Sequence, residues 1–160
     1  MGLRGNVTFK FKISMFVYAS HSGMFGGAAP DAMLAATRLL ASLHADDGSV
    51  AVAGLTSREA DTPEYSAEKL AHEAALLPGV TAVGHGEVLS RLWNQPAITV
   101  TGIDAPTVVN ASNTLVPSVT VKISARIAPG QTATDAFAAI ETHLREHAPF
   151  GANLEISDID

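Results

Sequence analysis

The 160-residue chain has no cysteine, which rules out disulfides and thiolate-ligated zinc. Charge is also scarce: 16% of residues are charged, with Lys+Arg 10 against Asp+Glu 16 and a formal net charge of −6. No basic stripe is present, which argues against nucleic acid and anionic membrane surfaces as main partners. No apolar run reaches membrane-spanning length, and cytoplasm is the default compartment. Arg4, Lys10 and Lys12 precede the apolar stretch Ile13 to Ala19, much as in a secretory leader. That stretch is short for a leader, however, and the alternation beginning at Val7 accounts for the same residues. Asn6 stands where a myristoylation signal needs Ser or Thr. Apolar residues, by contrast, are plentiful at 47%, enough for one globular domain with a real core.

Hydrophobic periodicity gives the order of elements. Val7, Phe9, Phe11, Ile13, Met15 and Val17 alternate with Thr8, Lys10, Lys12 and Ser14, which predicts a strand with one buried side. Met33, Ala36, Leu39, Leu40 and Leu43 recur at helical spacing, predicting a helix over 30–43 with Pro30 in its first turn and Asp31 favourable near the positive end of its dipole. Residues 49–95 are less regular and read as an insertion. It holds a short extended piece at 50–53, a helix near 66–76 and a turn of helix near 88–93. Strands are expected again at 97–103 and 118–127, a helix at 133–147 capped by Thr132 or Thr134, and a last strand at 154–157. The expected class is α+β. The order matches a ferredoxin-like βαββαβ arrangement: a four-stranded antiparallel sheet with two helices on one face, plus a helical insertion between the first helix and the second strand. The first and last strands are then neighbours, so the chain ends lie close together, as suits a domain inserted in a host.

Several residues could carry chemistry. His21-Ser22-Gly23-Met24-Phe25-Gly26-Gly27 places an imidazole among glycines between a strand and a helix, where binding groups often sit. Taken alone it is also a common kind of turn. His44-Ala45-Asp46 spells a two-ligand zinc pattern but has no further ligands at a matching spacing. His143 and His147 share a helix face, but Glu146 is misplaced for a His-Glu-x-x-His site and both lie in the last turn, where histidine suits the dipole. His72 and His85 read as polar residues of the insertion. The glycine loop lacks the Gly-Lys-Ser/Thr ending of a phosphate loop, and no Ser/His/Asp arrangement stands out. The sequons at Asn6 and Asn110 are short patterns of a kind that arises by chance. Arg126 alternates onto the open sheet face with Lys122, where a guanidinium could grip a carboxylate or simply be solvated.

Five segments are considered together: His21 to Ala32, Arg91 to Pro96, Gly102 to Pro106, Ser112 to Pro117 and Ala125 to Gln131. In this order they resemble the lid, or dimerisation, domain of carnosinase-like dipeptidases in the dizinc exopeptidase superfamily. The resemblance runs from Leu3-Arg4-Gly5 almost to the end, so residues 1–160 read as a single lid/dimerisation domain. It implies a homodimer whose parent enzyme binds two zinc ions and hydrolyses dipeptides or related acylated amino acids. His21 would reach the partner subunit's active site and steady the oxyanion. Thr114 and Arg126 would lie near the substrate carboxylate, with Asn113 adjoining. Zinc activating water and preorganised donors holding tetrahedral charge make such roles chemically sensible. No segment here resembles the catalytic zinc domain, so the chain is expected to hold no metal and to be inactive alone. Locally, Ser20 replaces the family's usual aliphatic residue, and Phe16 to Ala19 are unusually apolar. The alternative is a free-standing or engineered ferredoxin-like interaction module with no enzymatic role.

Overall fold

The computed structural model describes residues 4–160. Met1, Gly2 and Leu3, which bear on the lipidation signal and on the start of the family resemblance, lie outside the described residues. Strand β1 (Gly5–Ser14) carries the first alternating run and turns Val7, Phe9, Phe11 and Ile13 into the core. Its partner β5 (Ser118–Ile127) does the same with Val119, Val121, Ile123, Ala125 and Ile127. The two pair antiparallel over their whole length, from Gly5 opposite Ile127 to Ser14 opposite Ser118. β3 (Ala97–Asp104) lies on the outer side of β5 and β6 (Asn153–Ser157) on the outer side of β1, giving an antiparallel sheet in the order β3-β5-β1-β6. An irregularity between Val100 and Gly102 shifts the register of β3.

Helices α2 (Ala32–Ala41) and α5 (Ala133–His147) cover the apolar face. α2 presents Ala32, Ala35, Ala36 and Leu39, and α5 presents Ala136, Ile140 and Leu144. Phe137 of α5 meets Phe9 edge to face, with ring centroids 5.3 Å apart. Each large side chain removed from water here stabilises the fold by about 1.5–3 kcal/mol. Both helices begin on a side-chain cap. Asp31 accepts from the Leu34 N–H at 2.8 Å, and Thr132 accepts from the Asp135 N–H at 3.1 Å.

Three expectations need correction. The first strand stops at Ser14, not at Val17, because its partner β5 begins only after Pro117. Pro117 lacks an N–H for the ladder, and the chain loops out over Phe16 to Ala19, leaving Val17 95% exposed. The next helix spans 32–41, not 30–43, because Asp31 caps it from outside and Ser42 closes it. Residues 50–53 form no strand, and only an isolated bridge joins Val50 to His44.

Between α2 and β3 the chain forms α3 (Ala67–Glu73), capped by Ser66, and α4 (Val88–Asn94). Polar clamps brace this segment internally and join it to the turn before α5. Arg91 donates from three nitrogens to the carbonyls of Val83 and Gly86. The Arg58 N–H donates to the Asn94 carbonyl, and Gln131 bonds both Thr56 and Gly54. No helix of the described residues is long and apolar enough to cross a membrane.

Candidate functional site

Beyond the looped-out residues the antiparallel ladder resumes as a second, two-stranded ribbon. β2 (Ser20–His21) pairs with β4 (Thr114–Leu115), setting Ser20 opposite Leu115 and His21 opposite Thr114. The Ser22 N–H extends it by donating to the Asn113 carbonyl at 3.0 Å. His21, Asn113 and Thr114 are thereby brought together at the end of the sheet marked by Ser14 and Ser118, and all three are exposed.

His21 also starts the single turn α1 (Ser22–Phe25), where its Nδ1 accepts from the Gly23 N–H at 3.0 Å. A nitrogen that accepts a hydrogen bond carries its lone pair there, so the ring proton of the neutral imidazole sits on Nε2. The loop thus presents a fixed N–H donor. Side chains at two of its glycines would collide with the loop. A Cβ on Gly23 would lie 2.9 Å from His21 Cε1, and one on Gly26 would lie 2.4 Å from the Ser22 carbonyl oxygen. Across the ribbon, the Thr114 hydroxyl shares a hydrogen bond with that of Ser112 at 2.8 Å.

The flanking segments are apolar and uncovered. Val17 is 95% exposed, Tyr18 76%, Met24 75%, and Val108 and Val109 93% each. Sequence patterning missed this rim because exposed apolar residues in loops have no period; only the length of the run Ile13 to Ala19 hinted at it.

Arg126 lies elsewhere. It faces Asn6 on β1 and Ala97 on β3, at the opposite end of the sheet. Eight residues of β5 separate it from Ser118, roughly 26 Å at strand rise. Arg4 was also missed. Just before β1, it donates to the carbonyls of Arg91 and Gln95 at 3.4 and 3.3 Å. Burial, and then the nearby Arg126 guanidinium, lower its pKa. Its place just ahead of the first alternating run was the available signal.

Of the remaining histidines, His44, His85, His143 and His147 have local partners, and His72 lies exposed on α3. His44 Nε2 lies 3.2 Å from the Ile98 carbonyl oxygen and His85 Nδ1 3.3 Å from Asp47. His143 is buried and stacked on His147 with centroids 3.9 Å apart. No group of three or more His, Asp or Glu among the described residues could hold a metal ion. The side chains described here therefore do not fit a dizinc centre.

The family model described as peptidase dimerisation domain matches residues 1–152. Cysteinylglycine-S-conjugate dipeptidase of Corynebacterium striatum is 32% identical over 158 residues, covering 97% of this chain and 35% of that protein. Among solved structures, human carnosine dipeptidase 1 superposes with a TM-score of 0.75 at 21% identity, covering 97% of this chain and 36% of that one. The di-peptidase Dug1p of Saccharomyces cerevisiae gives 0.73 at 19% identity, with the same two coverages of 97% and 36%. The chain thus spans about a third of the length of each of these relatives. None of these matches supports a free-standing module without enzymatic context. By the family match over nearly its whole length and the identity to a curated dipeptidase, the chain belongs to the peptidase dimerisation domain family.

Proposed function

We propose that this chain is the dimerisation and lid domain of a metal-dependent dipeptidase, and that each active site draws on two copies of it. One observation carries the reading: the ribbon of His21 and Thr114 lies beyond one end of the four-stranded sheet, and Arg126 lies at the other end. A dipeptide spans roughly 7 Å, so one copy cannot offer both groups to the same substrate. Two copies related by a two-fold axis can. In this reading His21 and Thr114 reach the partner's site, while Arg126 serves its own.

The roles follow from chemistry. His21 Nε2–H is a neutral, oriented donor suited to the oxyanion of a tetrahedral intermediate. Thr114 and Asn113 add polar contacts beside it, and the planar fork of Arg126 suits a free carboxylate. Two zinc ions held by a separate catalytic domain would polarise the scissile carbonyl and activate water. The exposed apolar rim around His21 is the kind of surface a protein partner covers. Dimerisation itself is assigned to the outer edge of β3. Past Ile98, no backbone partner lies beyond that edge among the described residues, and an unpaired edge is a template for another strand.

The test uses a dipeptidase assembled from this domain and its catalytic domain. His21→Ala lowers turnover about a hundredfold to a thousandfold, as loss of one oxyanion donor does. Arg126→Ala weakens binding of substrates with a free carboxylate. Mixing the two impaired variants restores activity, because a mixed dimer contains one site with both groups intact. A mixture as impaired as its components would sink the two-copy reading.

A further inference from the structure

A cavity of about 560 Å³ lies between the 49–95 segment and the edge of the sheet, far from His21. Its floor is core-facing, with Val50, Val52 and Ile98, and Leu70, Leu76 and Val80 line the segment's side. The volume falls in the range of small-ligand sites, which are mostly apolar with a few placed polar groups. The Arg4 side chain is one of those polar groups. Among the described residues its only hydrogen-bond partners are the two carbonyls at the end of α4, both reached from one terminal nitrogen, and no carboxylate comes within salt-bridge distance. The other guanidinium lining the cavity, Arg91, directs each of its three nitrogens at a carbonyl of Val83 or Gly86. Among the described residues Arg4 therefore keeps unused donors beside an apolar chamber, and the Arg126 guanidinium acts on it as a like charge.

We infer that this cavity binds a small apolar carboxylate, with the hydrocarbon against Val52 and Ile98 and the carboxylate on Arg4. A half-buried guanidinium lacking an acidic partner gains a charge-assisted hydrogen bond from such a ligand, and the hydrocarbon gains burial. The inference is independent of the reading of His21 and Arg126 and survives if that reading fails.

Titration calorimetry reads occupancy directly. The 160-residue chain is titrated with octanoate and with octanol. Saturable binding is expected for both, octanoate being tighter by about tenfold, the size of one charge-assisted contact. Arg4→Gln should abolish that preference while octanol binding persists, which also shows that the variant is folded. Arg4→Lys should retain part of the preference, and Ala74→Phe, which fills the chamber, should weaken both ligands. Equal binding of octanoate and octanol to the unaltered chain overturns the inference. So does equal loss of both ligands in Arg4→Gln, or the absence of saturable binding.

Discussion

The sheet with its two helices and the ribbon carrying His21 are made from the same two stretches of chain but follow opposite rules. In the body, every second residue of β1 and β5 is shut away from water against α2 and α5. In the ribbon, the ladder restarts after a looped-out stretch, no residue is buried, and the apolar side chains nearby face outward. The body holds itself together, whereas the ribbon is held only by its attachment. Stability and the proposed function thus fall on different parts of the molecule, and a substitution should tell them apart.

The largest effect belongs to the body. Phe9→Ala removes the ring that meets Phe137 and is expected to cost about 3–5 kcal/mol, read as a lower denaturation midpoint for the isolated chain. His21→Ala is the counterpart in the ribbon, where the loss of turnover in the assembled enzyme should come with an unchanged melting temperature for the chain. A marked fall in that temperature would contradict the separation of roles. Gly26→Ala is intermediate in kind. The added Cβ collides with the Ser22 carbonyl and must displace the loop, so the shifts in a nuclear magnetic resonance spectrum should be confined to residues 20–29 and 112–115. Spread into α5 would show that the ribbon is not mechanically separate.

The smallest effect is a pH dependence within the body. Burial, and then the stacked His147, lower the pKa of His143. Ser42 donates its hydroxyl to the Leu39 carbonyl, so it accepts from His143 Nε2–H at 3.0 Å. The folded state therefore binds fewer protons at this site than the unfolded chain does. Its contribution is fully present above the ordinary histidine value of about 6.5 and is lost as pH falls through the lowered folded value. Thermal midpoints measured from about pH 7 to about pH 5 should fall less steeply in His143→Gln. Parallel slopes would assign the acid loss elsewhere.

Periodicity was a good guide where burial has a period. The alternation of 118–127 and the helical spacing of 133–147 coincide with the observed elements to the residue, because half of each strand and a stripe of the helix face one core. It failed where a turn interrupts that relation. Met15 and Val17 continue the pattern in sequence, yet the ladder they would join stops at Pro117, and Val17 ends in solvent. The glycine-flanked histidine was visible as a motif, and Asn113 and Thr114 as a neighbouring one. Their juxtaposition was not, since it depends on the ladder restarting out of step after four looped-out residues, Phe16 to Ala19. The distance from Arg126 to this pair is likewise a property of register and could be stated only once β1 and β5 were aligned.

The irregular edge of β3 bears on how assembly ends. A flat, evenly spaced edge accepts strand after strand and grows into fibres. Here the register shift between Val100 and Gly102 makes the edge uneven, as bulged edges are, so that a matching strand must present the same unevenness in reverse. In the proposed dimer a second copy turned by half a revolution would do so, leaving neither β3 free. The defect in the strand would then be a stop signal, limiting polymerisation to two members without any residue dedicated to repulsion.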